Sequence, residues 1–209
     1  MMRHMISRFF LFFTAMLVLS VNAQEAPLKV VEGATSGVIN ELTKTRPEER
    51  DEKMIERLVE TYILPAIDQQ KIAMGALGKY WRRATPEEQQ RFISVFRDRQ
   101  LRTYGGAFKA FSDQTLTYQD SVRYSPEGDR AIVSGEFEQS SGQKVPVDFK
   151  LYRTKQGDWL VYDAVIAGLS IVTTYRTQLN DKLQNMSIAE LLKELETAPI
   201  EPVEPVAKN

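Results

Sequence analysis

Apolar residues along this chain recur first with a helical period and then with a strand period. Leu28, Val31, Ala34, Val38 and Leu42 predict a helix over 27–43, weakened by Gly33 and Gly37. Pro47 suits a first helical turn, and PEERDEKMIERLVETYILP sets acids early with Ile55, Leu58, Val59 and Tyr62 on one face, ended or kinked at Pro65. Asp68 is placed to cap a third helix running toward Trp81, with Ile72, Ala76 and Leu77 inward. In Thr85-Pro86-Glu87-Glu88, Thr85 can cap free N–H groups, Pro86 fits the first helical position and Glu88 can reach back. From there Phe92, Val95, Phe96, Thr103, Ala107 and Phe111 share a face, with Tyr104 and Phe108 beside it, so one long helix is predicted. The Gly105-Gly106 pair inside it predicts a kink or hinge.

After Asp113 the period becomes two. Leu116, Tyr118, Val122 and Tyr124 alternate with polar residues, and Ser125-Pro126-Glu127-Gly128 turns the chain into a strand through Val133, Gly135 and Phe137. Ser140-Ser141-Gly142 turns it again into Val145, Val147, Phe149 and Leu151, which alternate with polar residues. Lys155-Gln156-Gly157-Asp158 leads to the fourth strand, with Trp159, Val161 and Val165 on one face and Leu160, Tyr162, Ala164 and Ile166 on the other. Short turns between four strands predict an α+β fold, a twisted antiparallel four-stranded sheet packed against several helices. Ser170 caps a further helix ending near Met186, and Ser187 to Glu190 forms a capping box for a short helix with Ile188, Leu191, Leu192 and Leu195.

The two ends read differently. Arg3 and Arg8 precede the apolar run Phe9 to Leu19 and the small-residue site Val21-Asn22-Ala23, the pattern of a secretory signal peptide over 1–23. That run is far shorter than the ~20 residues a membrane-spanning helix needs, so a soluble exported chain is expected from about Gln24. Residues 24–198 suit one domain, and 199–209, with Pro199, Pro202 and Pro205, read as a disordered tail. With Arg3 and Arg8 removed, 25 basic residues face 28 acidic ones, and nothing points to nucleic acid. The chain has no cysteine, and its one histidine, His4, lies in the signal segment. Triad hydrolases, papain-like thiol enzymes and zinc enzymes are thereby excluded.

What chemistry remains is carried by carboxylates, Lys, Tyr, Ser and Thr. Asp163 stands in an apolar strand, where burial would raise its pKa and make it a base; alternatively it is a structural acid, hydrogen-bonded at a sheet edge or tied to a nearby Tyr or Arg. No second carboxylate at identifiable spacing completes an acid/base pair. Gly168-Leu169-Ser170 falls short of a nucleophile elbow, and Ser170 is more simply a helix cap. Lys79, Arg82 and Arg83, with Tyr80 and Trp81, either receive an anionic headgroup or form a solvated charged loop.

Two segments resemble a known family. AMGALGKYWRRATPEEQQRFISVFRDRQLRTY, with Gly78-x-x-Trp81, Ala84-Thr85-Pro86-Glu87 and Phe92-x-x-x-Phe96, is similar to the MlaC or toluene-tolerance family of periplasmic phospholipid-binding proteins. Trp159-x-Val161-Tyr162-Asp163-x-x-Ile166-x-Gly168-x-Ser170, followed by Tyr175-Arg176-x-Gln178, resembles that family's passage from last strand to helix. The likeness covers about residues 30 to 185. Departures are Ala167 in place of an acid, Thr174 in place of Asn, Leu179 in place of Phe, and a run Arg97-Asp98-Arg99-Gln100 more polar than the family's.

The resemblance implies a sheet and helices enclosing an apolar cavity for acyl chains, and no cofactor. It implies a monomeric, non-enzymatic periplasmic carrier that maintains outer-membrane lipid asymmetry. Its implied partners are phospholipid, an outer-membrane lipoprotein in complex with a porin, and an inner-membrane ABC transporter bearing an MCE-domain protein. On that reading Val145, Val147, Phe149, Val161 and Val165, with Ile171 and Val172, form one cavity wall, and Phe92, Val95, Phe96, Tyr104 and Phe108 the other. Lys79, Arg82 and Arg83 would stand at the mouth. Two rival readings are a small enzyme using Asp163 or Asp148 as base, and a periplasmic chaperone or interaction module with an open groove for peptides.

Overall fold

The computed structural model describes residues 26–197. The expected signal peptide and the tail from Pro199 lie outside the described residues.

Helix α1 (Ala26–Lys44) forms where the first apolar stripe predicts it. Gly37, which weakens it as a helix former, admits a neighbour: a Cβ there would sit 2.1 Å from the Tyr62 ring. Pro47 opens only a single 3-10 turn, Pro47–Glu49. Helix α2 (Glu52–Leu58) begins instead at Asp51, whose carboxylate accepts the Met54 N–H at 2.8 Å. A π-helical turn, Val59–Ile63, and a 3-10 turn holding Pro65 follow. Helix α3 (Gln69–Leu77) is capped by Asp68, as expected, but stops short of Trp81. Gly78, at φ +58, ends it, and 78–83 continue as a 3-10 helix.

Helix α4 (Pro86–Lys109) starts with the predicted capping box. Thr85 Oγ1 accepts the Glu88 N–H at 3.2 Å, and Glu88 Oε2 accepts the Thr85 N–H at 2.9 Å. The Gly105-Gly106 pair, expected to kink it, stays helical.

The sheet has six strands, where four are predicted: β1 (Thr115–Tyr118), β2 (Arg123–Tyr124), β3 (Arg130–Glu138), β4 (Lys144–Arg153), β5 (Trp159–Ile166) and β6 (Leu169–Ser170). All pairings between them are antiparallel, in the order β1-β3-β4-β5-β6, with β2 also on β3. The first predicted strand is split, because the polar run Gln119-Asp120-Ser121 interrupts it. Its halves pair with opposite ends of β3. The sixth strand is the short return after a two-residue turn, in which Ala167 (φ +49) and Gly168 (φ +82) are both left-handed.

A bulge in β5 corrects the predicted face of Val165. Leu151 pairs with Val161 and Lys150 with Asp163, leaving Tyr162 as the extra residue. Trp159 and Val161 therefore share a face with Leu151, Phe149 and Val147, and beyond the bulge Ala164 and Ile166 join that face. Asp163 and Val165 turn to the opposite face, across from Lys150 and Asp148.

Apolar side chains gather in three clusters. Val31 of α1 packs on the sheet with Ala131, Val133, Leu151, Trp159 and Val161. A helical cluster joins α3, the first half of α4, α5 (Ile171–Lys182) and α6 (Ile188–Thr197), with Phe92, Phe96, Tyr175 and Leu191 at its centre. In the third, Val38 and Leu42 meet Met54 and Leu58, with Phe108 and Phe111 packed against them half-buried.

Candidate functional site

The third cluster is open on one side. Between α1, the π-helical turn, the end of α4 and the β1–β3 edge lies a groove of about 310 Å³. Helix α1 supplies Ala34, Thr35, Val38, Ile39 and Leu42, one stripe of its helical period. Ile63 comes from the π-helical turn, Ala107, Phe108 and Phe111 from the α4 end, and Leu116 and Phe137 from the sheet. Thr35 is the one polar residue among them, and its hydroxyl is engaged: it donates to the Val31 carbonyl at 2.8 Å and meets the Tyr118 hydroxyl at 2.5 Å. Burial pushes the Tyr118 hydroxyl pKa up, with the Thr35 bond opposing it. A surface this apolar can hold hydrocarbon and offers no group for proton transfer.

The ends of α1 and α4, two walls of the groove, are tied together by Arg50, a cation only 5 % exposed. Its guanidinium donates to the carbonyls of Leu42 (2.9 Å) and Thr45 (2.9 and 3.1 Å) at the end of α1. It also donates to those of Lys109 (3.2 Å) and Phe111 (2.5 Å) at the end of α4, with a longer contact to Phe108 (3.4 Å). Helix C-termini carry unsatisfied carbonyls and partial negative charge, so one buried guanidinium joins two of them without a carboxylate.

The structure distributes the predicted site residues unevenly. Phe108 lines the groove. Val145 pairs with the groove residue Phe137, and Val147, Phe149 and Val161 lie on the same sheet face, outside the groove lining. Val165 is on the other face. Phe92, Val95 and Phe96 are buried in the helical cluster, with Tyr104 and Ile171 packed against it, and Val172 is buried close over Gly75. Lys79, Arg82 and Arg83 are exposed on the 3-10 helix, two of them over the Tyr80 ring, and none lines the groove. Sequence reasoning overlooked the α1 wall, although Ala34, Val38 and Leu42 stood in its stripe. It also overlooked Arg50, hidden in the charged run EERDEK.

Asp163 has a structural job. It is 7 % exposed and accepts from Lys150 Nζ (3.0 Å), Ser170 Oγ (2.8 Å) and the Val172 N–H (3.2 Å), tying β4 and β5 to the start of α5. Ser170 caps α5 as predicted, accepting the Thr173 N–H at 3.1 Å. Asp148 accepts from Ser134 and Arg123 on that same outer face. Both carboxylates weighed as bases therefore sit across the sheet from the groove. Among the described residues no group of three His, Cys, Asp or Glu could hold a metal, and no helix is long and apolar enough to cross a membrane.

Residues 32–197 match the MlaC protein family, a span that takes in every residue lining the groove. The chain belongs to the MlaC family. The chain is similar to the toluene tolerance protein ttg2D of Pseudomonas putida, 26 % identical over 164 residues, covering 78 % of this chain and 75 % of that one. The intermembrane phospholipid transport system binding protein MlaC of Haemophilus influenzae is 20 % identical over 183 residues, covering 87 % of this chain and 86 % of its own length. A solved phospholipid-binding protein from Ralstonia solanacearum, in complex with a phospholipid, shares this chain's fold with a TM-score of 0.73. It is 28 % identical, covering 82 % of this chain and 94 % of its own.

Proposed function

We propose that this protein binds phospholipid and carries it across the periplasm, with the acyl chains in the groove between α1, the α4 end and the sheet. One observation carries the reading: a nearly all-apolar groove in an MlaC-family chain whose solved relative from Ralstonia solanacearum holds a phospholipid. A diacyl lipid exposes ~30 chain methylenes, and at ~0.8 kcal/mol each their hydration costs ~24 kcal/mol. A carrier removes that cost only by covering both chains. At about 310 Å³ the groove lies at the low end of ligand pockets, which run ~300–1,000 Å³, so loading widens it. Arg50 holds the ends of α1 and α4, and the widening falls to the free parts of α1, the π-helical turn and the half-buried sheet face around Val145 and Phe149.

The carrier acts without catalysis and without a cofactor. It docks as a monomer on an outer-membrane lipoprotein-porin complex and on an inner-membrane ABC transporter with an MCE-domain protein, handing lipid between them to maintain outer-membrane asymmetry. The decisive measurement is organic extraction of the purified protein, with vesicle uptake as its partner assay. Phospholipid should be recovered, and Phe137→Glu, which puts a charge in the groove wall, should lose it while staying folded. Recovery of no lipid, together with no uptake from vesicles, would overturn the reading.

A further inference from the structure

Three elements around the groove change character at the same level. Along α1, Val38 belongs to the groove cluster and Val31 to the buried cluster on the sheet, with Thr35 between them. Along β3, Phe137 lines the groove and Val133 is buried in the sheet cluster, with Gly135 between them. Along β1, Leu116 lines the groove, and Tyr118, two residues on, packs against the sheet cluster. Residues two apart on a strand, and three or four apart on a helix, share a face, so the three elements pass side by side from open groove to filled core. The register fits this, pairing Leu116 with Phe137 and Tyr118 with Gly135.

At the border stands one polar contact, in which the Tyr118 hydroxyl meets Thr35 Oγ1 at 2.5 Å. Thr35 spends its only proton on the Val31 carbonyl at 2.8 Å, so Tyr118 is the donor. Gly135 lets the ring lie close over β3: a Cβ there would meet the Thr117 carbonyl oxygen at 2.5 Å and Tyr118 Cδ1 at 3.4 Å. From Thr35 to Leu42, the groove-lining stretch of α1 past this contact, the helix rises about 10 Å. One acyl chain fills half of a ~30 Å hydrocarbon core, about 15 Å. A chain end that reaches Thr35 can go on only by parting the two hydroxyls, which leaves that of Tyr118 buried against hydrocarbon without its acceptor.

Building on the carrier reading, we infer that the hydroxyl pair of Thr35 and Tyr118 is an end stop that sets the length of acyl chain the groove accepts. The carrier favours lipids with shorter chains. Longer chains leave methylenes outside the groove, and each one left in water weakens binding about fourfold. The selection acts on the chain end and not on the headgroup.

The test offers the purified protein vesicles that hold dimyristoyl- and distearoyl-phosphatidylglycerol in equal amounts, and compares the ratio of the two lipids in the protein with that in the vesicles. The wild type should be enriched in the shorter lipid. Tyr118→Ala, which removes the ring over Gly135 and lengthens the groove, should shift the ratio toward the longer lipid by about tenfold, the worth of between one and two methylenes. Thr35→Val, which keeps the side chain's size and removes its hydroxyl, and Tyr118→Phe should each shift it the same way by a smaller factor, and the two combined should shift it no further than either alone. A general loosening of the fold would change the amounts of both lipids and leave their ratio. If Tyr118→Ala does not fold, the two hydroxyl deletions decide the matter. A wild type without length preference, or an unshifted ratio in folded Tyr118→Ala or in Thr35→Val, would overturn the inference. Uptake of neither lipid would instead bring down the carrier reading on which it rests.

Discussion

The two halves of α4 bring the same kind of side chain into different surroundings. Phe92, near its start, is fully buried, stacks on Phe96 with ring centroids 5.2 Å apart, and is enclosed by α3, α5 and α6. Phe108, near its end, is half-buried and faces a groove whose opposite wall is α1. Sixteen residues carry Phe108 about 160° around the helix from Phe92, so the two rings meet different neighbours, but direction alone did not set the difference in burial. The number of elements meeting each half did: three helices close over the first, while the second meets α1 and a sheet edge that leave a gap. A filled core stabilises the fold, and an unfilled one can take a guest.

The sharpest way to break this contrast is a matched pair of truncations. Phe92→Ala should cost ~3–5 kcal/mol in urea unfolding and leave lipid bound per folded molecule unchanged. Phe108→Ala should cost only about 1 kcal/mol and weaken lipid retention, because the atoms removed already face an open space. Equal stability losses, or equal lipid losses, would erase the distinction between the two halves.

Arg50 comes next in size. Arg50→Met leaves several helix-end carbonyls without their donor and should lower stability by about 2–3 kcal/mol, with lipid exchange accelerated as the two tied helix ends loosen. A variant that unfolds like the wild type and exchanges lipid at the same rate would show that the two helix ends are held by something else.

The bulge in β5 allows a finer comparison between two half-buried valines. Val145→Glu places a charge on the groove's sheet face and should abolish lipid retention; Val165→Glu places it on the outer face and should preserve it. Loss of lipid in both would mean that the chains reach beyond the face assigned here.

The smallest effect is expected at the β5–β6 turn, whose residues line neither the groove nor the helical cluster. Ala167 holds φ +49, a conformation that costs an L-residue about 1–2 kcal/mol, so Ala167→Gly should raise stability by up to ~1 kcal/mol after the entropy of the added glycine is counted. Thermal unfolding would register the gain, and lipid uptake should not change.

The local signals that proved reliable in the sequence were those whose partners lie within a few residues. Thr85 with Glu88, Ser187 with Glu190, Asp68 as a cap and the turns at Gly128, Gly142 and Gly157 all form as read, since each needs only its own neighbours. The α+β class followed equally from the change of period after Asp113. Strand faces were legible only up to Val161, because a single extra residue at Tyr162 inverts everything after it and leaves no mark on the alternation.

The candidate site was legible only in fragments for the same reason. Apolar stripes on α1 and α4 announced that those faces would be covered, but hydrophobicity is non-directional and does not state by what. Whether Phe92 and Phe108 line a filled core or an open groove, whether Asp163 is a base or a brace, and whether Arg50 is a surface charge or a buried tie all depend on contacts between residues far apart in the chain. By itself the sequence determined the order of helices and sheet, the absence of cysteine and, beyond His4, of histidine, and the resemblance that led to the MlaC family. Tertiary structure alone decided where the hydrocarbon-lined space lies, because a gap is a property of how surfaces meet and no single surface encodes it.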